Sequence, residues 1–192
     1  MPVRIIKKEL LSDNWYKLYK YTYETETHSG KKIVQTREAY DRGNGAVILL
    51  YNKPNKTVIL TRQFRLPTFI NGNVDGYMIE ACAGLLDEDN PEDCIRRETE
   101  EETGYRLSLV EKVFESYMSP GSVTEILYFF VAEYAPDQKV TEGGGVDEDE
   151  NIEVLEMKFE EAMSMVKTGQ INDAKTIMLL QYVALNKMLD AG

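Results

Sequence analysis

Histidine, cysteine and positive charge are scarce in this chain, and each scarcity excludes something. His28 is the one histidine, and Cys82 and Cys94 are the two cysteines. Their spacing matches no zinc pattern, and two thiols make no disulfide framework. A reducing compartment is the expected setting. Residues 1–15 carry Lys7, Lys8 and Glu9 and no apolar segment, so no secretory signal is expected. No apolar run approaches the roughly 18–20 residues of a membrane helix. The expected location is cytoplasmic. Lysine and arginine total 22 against 33 aspartate and glutamate, a net charge of −11. That balance argues against a nucleic-acid face, which needs a basic stripe, and against an anionic membrane surface.

What is present is apolar material for a core, 43% of 192 residues, and an acidity that is unevenly spread. Residues 87–102 and 142–153 concentrate Asp and Glu while holding only Arg96 and Arg97 as bases. Outside these stretches the chain is close to neutral. One domain with a small appendage suits this length.

Aromatic and β-branched stretches at 16–24 and 32–40 flank the turn signal His28-Ser29-Gly30 and predict a hairpin. Its Tyr19, Tyr21 and Tyr23 stripe reads as one packed face of a sheet, with a stacking platform as the alternative. Strands are further predicted at 46–51, 57–64, 77–80, 110–117, 125–134 and 152–158. Helices are predicted at 91–103, 160–167 and 174–189. Strands mixed with three helices indicate an α+β class. Residues 135–150 read as a long polar loop around Gly143-Gly144-Gly145, a length that tends to be functional or disordered.

The helix at 91–103 carries the first acidic focus. Asn90 suits its N-cap and Pro91 its first position, Glu92 and Asp93 complement the dipole, and Gly104 suits its end. At about 100° per residue, Glu98, Glu101 and Glu102 share an arc of about 100°, with Glu100 on the opposite side. Cys94 and Ile95 fall on the same side as the three carboxylates. A face that packs on a sheet therefore also gathers three like charges, and desolvating each costs several kcal/mol. A divalent cation, protonation or a cationic partner would resolve this. All-oxygen ligation suits Mg²⁺ or Mn²⁺. A solvated acidic face, with Arg97 paired to Glu101, accounts for the same spacing.

Residues 84–105 contain Arg97, Glu98, Glu101, Glu102 and Gly104 in the register of the second half of the Nudix box, G-x5-E-x7-R-E-U-x-E-E-x-G-U with U apolar. Asp89 stands where the pattern has Glu, Gly84 is one residue closer, and Thr99 and Tyr105 occupy the U positions. The N-terminal hairpin, Arg62-Gln63-Phe64-Arg65, Met118-Ser119-Pro120-Gly121 and the triglycine before an acidic run extend the similarity over the whole chain. The sequence thus resembles Nudix hydrolases of the nucleoside-diphosphate-sugar branch, and within it those acting on GDP-mannose.

The resemblance implies a mixed sheet between helices, 45–192, and an N-terminal β-subdomain, 1–44, that joins two protomers. It implies metal-dependent hydrolysis of a nucleotide-sugar pyrophosphate, with GDP-mannose giving GMP and mannose 1-phosphate. ADP-ribose or an ADP-sugar is the alternative substrate, and a non-catalytic nucleotide-binding module the alternative of another kind. Glu98 and Glu102 are the implied metal ligands with the Ala83 carbonyl, and Glu101 is a third or a close neighbour. In the late loop, Glu150 is the implied base or a further ligand, with Glu148 and Asp149 beside it, and the triglycine a hinge. Arg37, Arg65 and Lys175 are implied substrate cations, and Gly84 and Leu85 substrate contacts at the box. Glu38 is placed to accept from guanine, Trp15 to stack on the base and Glu125 to accept from sugar hydroxyls. Asp149 belongs to the same substrate set. Each of Trp15 and Glu125 also has an ordinary reading, as interface aromatic and strand residue. Lys175 near a helix start opposes the dipole and predicts an anion beside it.

Overall fold

The N-terminal residues build a sheet of their own from β1 (Arg4–Asp13), β2 (Lys17–Glu26) and β3 (Lys32–Asp41), antiparallel throughout and in that order. Residues 3–146 and 151–190 are described by this computed structural model. The hairpin β2–β3 is the one read from sequence; β1 is not. Register shifts between Ile5 and Lys7 and between Leu10 and Ser12 interrupt its pairing with β2. Each shift swaps the face that the following side chains occupy, so strict alternation fails over Ile5-Ile6 and Leu10-Leu11. Tyr117–Ile126 joins Met1–Asn44 to complete this first compact unit. The link is backbone pairing: Tyr40 N–H donates to Ser122 at 2.8 Å, and Thr124 N–H donates back to Tyr40 at 3.1 Å.

The second unit comprises Gly45–Ser116 and Leu127–Gly192. Its sheet has seven strands. The central order is β10 (Glu153–Lys158), β5 (Thr57–Phe64), β4 (Gly45–Asn52), β9 (Ile126–Glu133) and β8 (Glu111–Tyr117). Two short strands add to it, β6 (Tyr77–Glu80) on β5 and β7 (Cys82–Leu85) on β4. β4 runs parallel to β9 and antiparallel to β5 and β7, which makes the sheet mixed. Every residue of β4 is buried. A strand buried on both faces needs cover on both.

Helices supply it. Ala46, Ile48 and Leu50 of β4 share one cluster with Cys94 and Ile95 of α2 (Pro91–Thr103). The alternate face, Val47 and Leu49, is fully buried outside that cluster. α4 (Ala174–Leu185) also packs on β4, through a face that buries Leu179, Leu180 and Val183. α3 (Phe159–Thr168) packs on β10 and α4. α4 stops four residues earlier than its apolar pattern suggests, because Lys187 turns to φ 52°. α1 (Leu66–Ile70) went unpredicted because five residues are too short to show a period, and β7 because Cys-Ala-Gly-Leu holds no β-branched or aromatic residue.

α2 keeps the bounds read from sequence. The Asn90 side chain accepts from Glu92 N–H at 3.1 Å and Asp93 N–H at 3.0 Å. The U positions of the motif are occupied by residues that behave as apolar. Thr99 is fully buried with its hydroxyl donated to the Ile95 carbonyl at 2.6 Å. Tyr105 packs edge-on against Tyr134, centroids 5.0 Å apart.

The far end of α2 is held by the polar loop. Gly144 N–H donates to the Glu102 carbonyl at 2.9 Å, and Gly145 N–H to the Glu101 carbonyl at 3.1 Å. These are carbonyls that a helix end otherwise leaves unpaired. Gly143, at φ 73°, has no room for a side chain: a β-carbon there would lie 2.5 Å from the Glu102 carbonyl oxygen. The triglycine is therefore a clamp on the helix end, not the free hinge expected from composition. Gly143→Ala should lower unfolding free energy by about 2 kcal/mol or more, read as a lower urea midpoint. An unchanged midpoint would show that the clamp contributes nothing.

Candidate active site

The three glutamates of α2 lie at three depths. Glu102 is 5% exposed. The side chains of Glu98 and Glu101 are 16% and 29% exposed. Glu100, on the opposite side as expected, pairs with Arg106 at 2.6 Å in the solvent. Two of the three find a cation within the chain. Arg97 Nη1 lies 2.9 Å from Glu98 and 3.1 Å from Glu101. The weak arm of that guanidinium reaches Asp89 at 3.5 Å, the position where the motif has Glu.

Glu102 has no such partner among the described residues. The Cys82 thiol and the Ala83 N–H donate to its carboxylate. Its Oε2 is buried without a hydrogen-bond partner among the described residues. Burial foremost, with the charge of Glu98 behind it, pushes the Glu102 carboxyl up to about 7. β7 passes directly beneath. A β-carbon at Gly84 would lie 2.1 Å from Cδ of Glu98, so the glycine is what lets that carboxylate rest on the strand. Leu85 turns its carbonyl to the Cys94 thiol at 3.2 Å.

Arg65 and Lys175 meet at a residue that sequence reasoning missed. Glu80, the last residue of β6, is 3% exposed. Arg65 grips it with Nε at 2.9 Å and Nη2 at 2.8 Å, and Lys175 Nζ lies 2.7 Å away. Burial works to raise the Glu80 carboxyl, but these two cations win and hold it at about 2. Lys175 also pairs with Asp173 at 3.0 Å, so the anion anticipated beside it is supplied twice by the protein itself. A single acid closing the apolar strand Tyr-Met-Ile-Glu was the available signal.

Arg37, Glu38, Trp15 and Glu125 belong to the first unit. Arg37 and Glu38 line a groove of 760 Å³ with Tyr23, Pro120, Gly121 and Thr124, a volume within the ordinary range of ligand sites. Trp15 is 82% exposed, with its ring against the edge of Tyr16, and does not line that groove. Glu125 pairs with Arg42 at 3.6 Å. Of the tyrosine stripe, Tyr19 carries the Lys8 ammonium 3.8 Å above its ring. Asp147, Glu148, Asp149 and Glu150 lie outside the described residues.

The donor set fits a hard divalent ion. A buried carboxylate oxygen without a donor, a second carboxylate resting on glycine backbone and an adjoining peptide are the oxygen-rich surroundings that Mg²⁺ or Mn²⁺ takes. Among the described residues no three acidic, Cys or His side chains already converge as a ligand group.

The pH dependence follows from Glu102. Its folded pKa, about 7, lies above its ordinary value of 4.5. Below 4.5 it is protonated in both folded and unfolded chains and costs nothing. As pH rises from there past 7 the unfolded chain ionises more readily, and stability falls by about 3 kcal/mol. Metal-free protein should lose urea resistance over this interval, and Glu102→Gln should remove the loss. A variant with the wild-type slope would contradict the assignment. Divalent ion added at pH 8 should restore resistance to the wild type and not to the variant.

Comparison with known proteins gives the family. Residues 41–180 match the NUDIX domain model, and residues 2–40 match the model described as the GDP-mannose pyrophosphatase NudK N-terminal domain. A GDP-mannose pyrophosphatase of Yersinia enterocolitica is 60% identical over 191 residues, covering 98% of this chain and 100% of the relative. One of Shigella dysenteriae is 54% identical over 98% of both chains. A solved ADP compounds hydrolase superposes with a TM-score of 0.71, covering 96% of this chain and 93% of its own at 18% identity, a likeness of fold. With its NUDIX match spanning residues 41–180, the chain belongs to the NUDIX family.

Proposed function

We propose that the protein hydrolyses the pyrophosphate of a nucleotide sugar, GDP-mannose in preference, to GMP and mannose 1-phosphate. The observation that carries the reaction is the orphaned, buried Oε2 of Glu102 beside Glu98 and the β7 backbone. The substrate rests on relatives 54–60% identical and named GDP-mannose pyrophosphatases.

In this reading Glu98, Glu102 and the Ala83 carbonyl hold Mg²⁺, with Glu101 adjoining and Mn²⁺ a substitute. A bound divalent ion supplies neutralisation of phosphate oxygens and a water of lowered pKa. The residues of the chain do the rest. Arg65 and Lys175 bind diphosphate oxygens, and Gly84 and Leu85 border them. Attack by water forms a new P–O bond, and the bridging P–O bond breaks with its electron pair leaving on the departing phosphate. Glu150, with Asp149 beside it, takes the proton of the water; that assignment rests on the sequence resemblance alone.

Base and sugar recognition rests on the sequence resemblance alone. Glu38 accepts from guanine N–H groups, Arg37 neutralises phosphate, Trp15 stacks and Glu125 accepts from sugar hydroxyls. A homodimer through 1–44 completes the reading. β1 is an edge strand whose Ile5, Ile6, Leu10 and Leu11 are 55%, 49%, 53% and 47% exposed, and an uncovered apolar edge invites a second copy. A cytoplasmic location agrees with two buried free thiols. No helix of the described residues is long and apolar enough to cross a membrane.

Chromatographic product analysis with GDP-mannose, ADP-ribose and ADP-glucose, each with and without Mg²⁺, tests this. GMP and mannose 1-phosphate should appear with the highest kcat/KM, and only with the metal. Glu102→Gln should lower kcat by about a hundredfold or more. A higher kcat/KM for ADP-ribose overturns the substrate, and full activity of Glu102→Gln overturns the mechanism.

A further inference from the structure

We propose that Glu80 is a positioning residue that sets the guanidinium of Arg65 for the substrate's diphosphate. The inference rests on the reading above, in which Arg65 binds phosphate oxygens.

Glu80 takes Arg65 by its side edge, the Nε–H and one Nη2–H, at 2.9 and 2.8 Å. A guanidinium has five N–H donors in one plane. Three remain, two on Nη1 and one on Nη2, and one from each nitrogen forms the end edge that matches two phosphate oxygens. Among the described residues these three donors take no hydrogen-bond partner. The pair is asymmetric in burial. Glu80 is 3% exposed whereas the Arg65 side chain is 40% exposed, so the fixed end lies inside and the end edge lies outside.

The backbone is fixed as well. Arg65 N–H donates to the Gly76 carbonyl at 2.8 Å, and Thr61 and Glu80 face each other in the β5–β6 register. Strand pairing thus sets both partners before any substrate arrives. Lys175 seals the opposite side of Glu80 at 2.7 Å and is itself held by Asp173 at 3.0 Å. Two carboxylates and two cations balance locally. Arg65 and Glu102 each feel the other's charge, which puts the guanidinium within electrostatic reach of the carboxylate helix.

A purely structural purpose does not account for this. A buried ion pair is at best a weak source of stability, and apolar residues of the same volume do as well or better. Apolar residues cannot aim a guanidinium. Holding a long side chain in its binding rotamer removes an ordering cost from the binding step.

The test is a double-mutant cycle on the full chain with Mg²⁺ and the best nucleotide sugar. Glu80→Gln should raise KM about tenfold with a smaller change in kcat. In an Arg65→Ala background the same substitution should add less than about twofold. Inhibition by GMP should weaken in parallel with KM, while inhibition by guanosine, which lacks the phosphate, should hold. Glu80→Asp keeps the charge but withdraws the carboxylate, and gives the same pattern at smaller amplitude if Glu80→Gln does not fold. Additive effects in the two backgrounds, or equal weakening of GMP and guanosine, overturn the proposal alone. A wild-type chain inactive on every nucleotide sugar overturns the proposal together with the substrate reading.

Discussion

The cost of taking carboxylates out of water governs the second unit. Among its described residues two glutamates are almost fully buried, Glu80 at 3% and Glu102 at 5% exposure. The protein treats them in opposite ways. Glu80 receives two cations, Arg65 and Lys175, and stays ionised far below neutrality. Glu102 receives a thiol and a peptide N–H, keeps one oxygen unpaired, and holds its proton up to about 7. Burial raises both carboxyls, so the difference lies in the charges and hydrogen-bond donors placed around them. Glu80 is neutralised from within the chain, whereas Glu102 keeps an oxygen without a partner among the described residues.

The fold serves that arrangement. β4 is buried along its whole length because helices cover both faces of the sheet. Its pairing with β7 brings the Gly84 backbone beneath α2, where only a residue without a side chain admits the Glu98 carboxylate. At its start α2 is capped by Asn90, and at its end by the amides of Gly144 and Gly145. The carboxylates therefore project from a helix fixed at both ends.

Much of this was legible. The bounds of α2, its N-cap, the opposite placing of Glu100 and the strands with strong β-branched or aromatic content all follow from local pattern. β1 was not, because its register shifts break alternation. α1 was too short to show a period, and β7 lacks the β-branched and aromatic residues that marked the equally short β6. The triglycine was misread for a reason that composition cannot repair. Glycine serves flexibility and close approach equally well, and only the position of the Glu102 carbonyl decides between them.

By itself the sequence determined which residues could gather on one face of α2, since a helical period needs nothing beyond its own chain. It also determined the family, through a motif whose spacing is local. The tertiary structure alone decided how each charge is used. Arg65, Glu80 and Lys175 are separated by 15 and 95 residues and meet only because β6 pairs with β5 and α4 begins nearby. Coulomb interactions depend on distance in space and on burial, and neither is written in the order of residues.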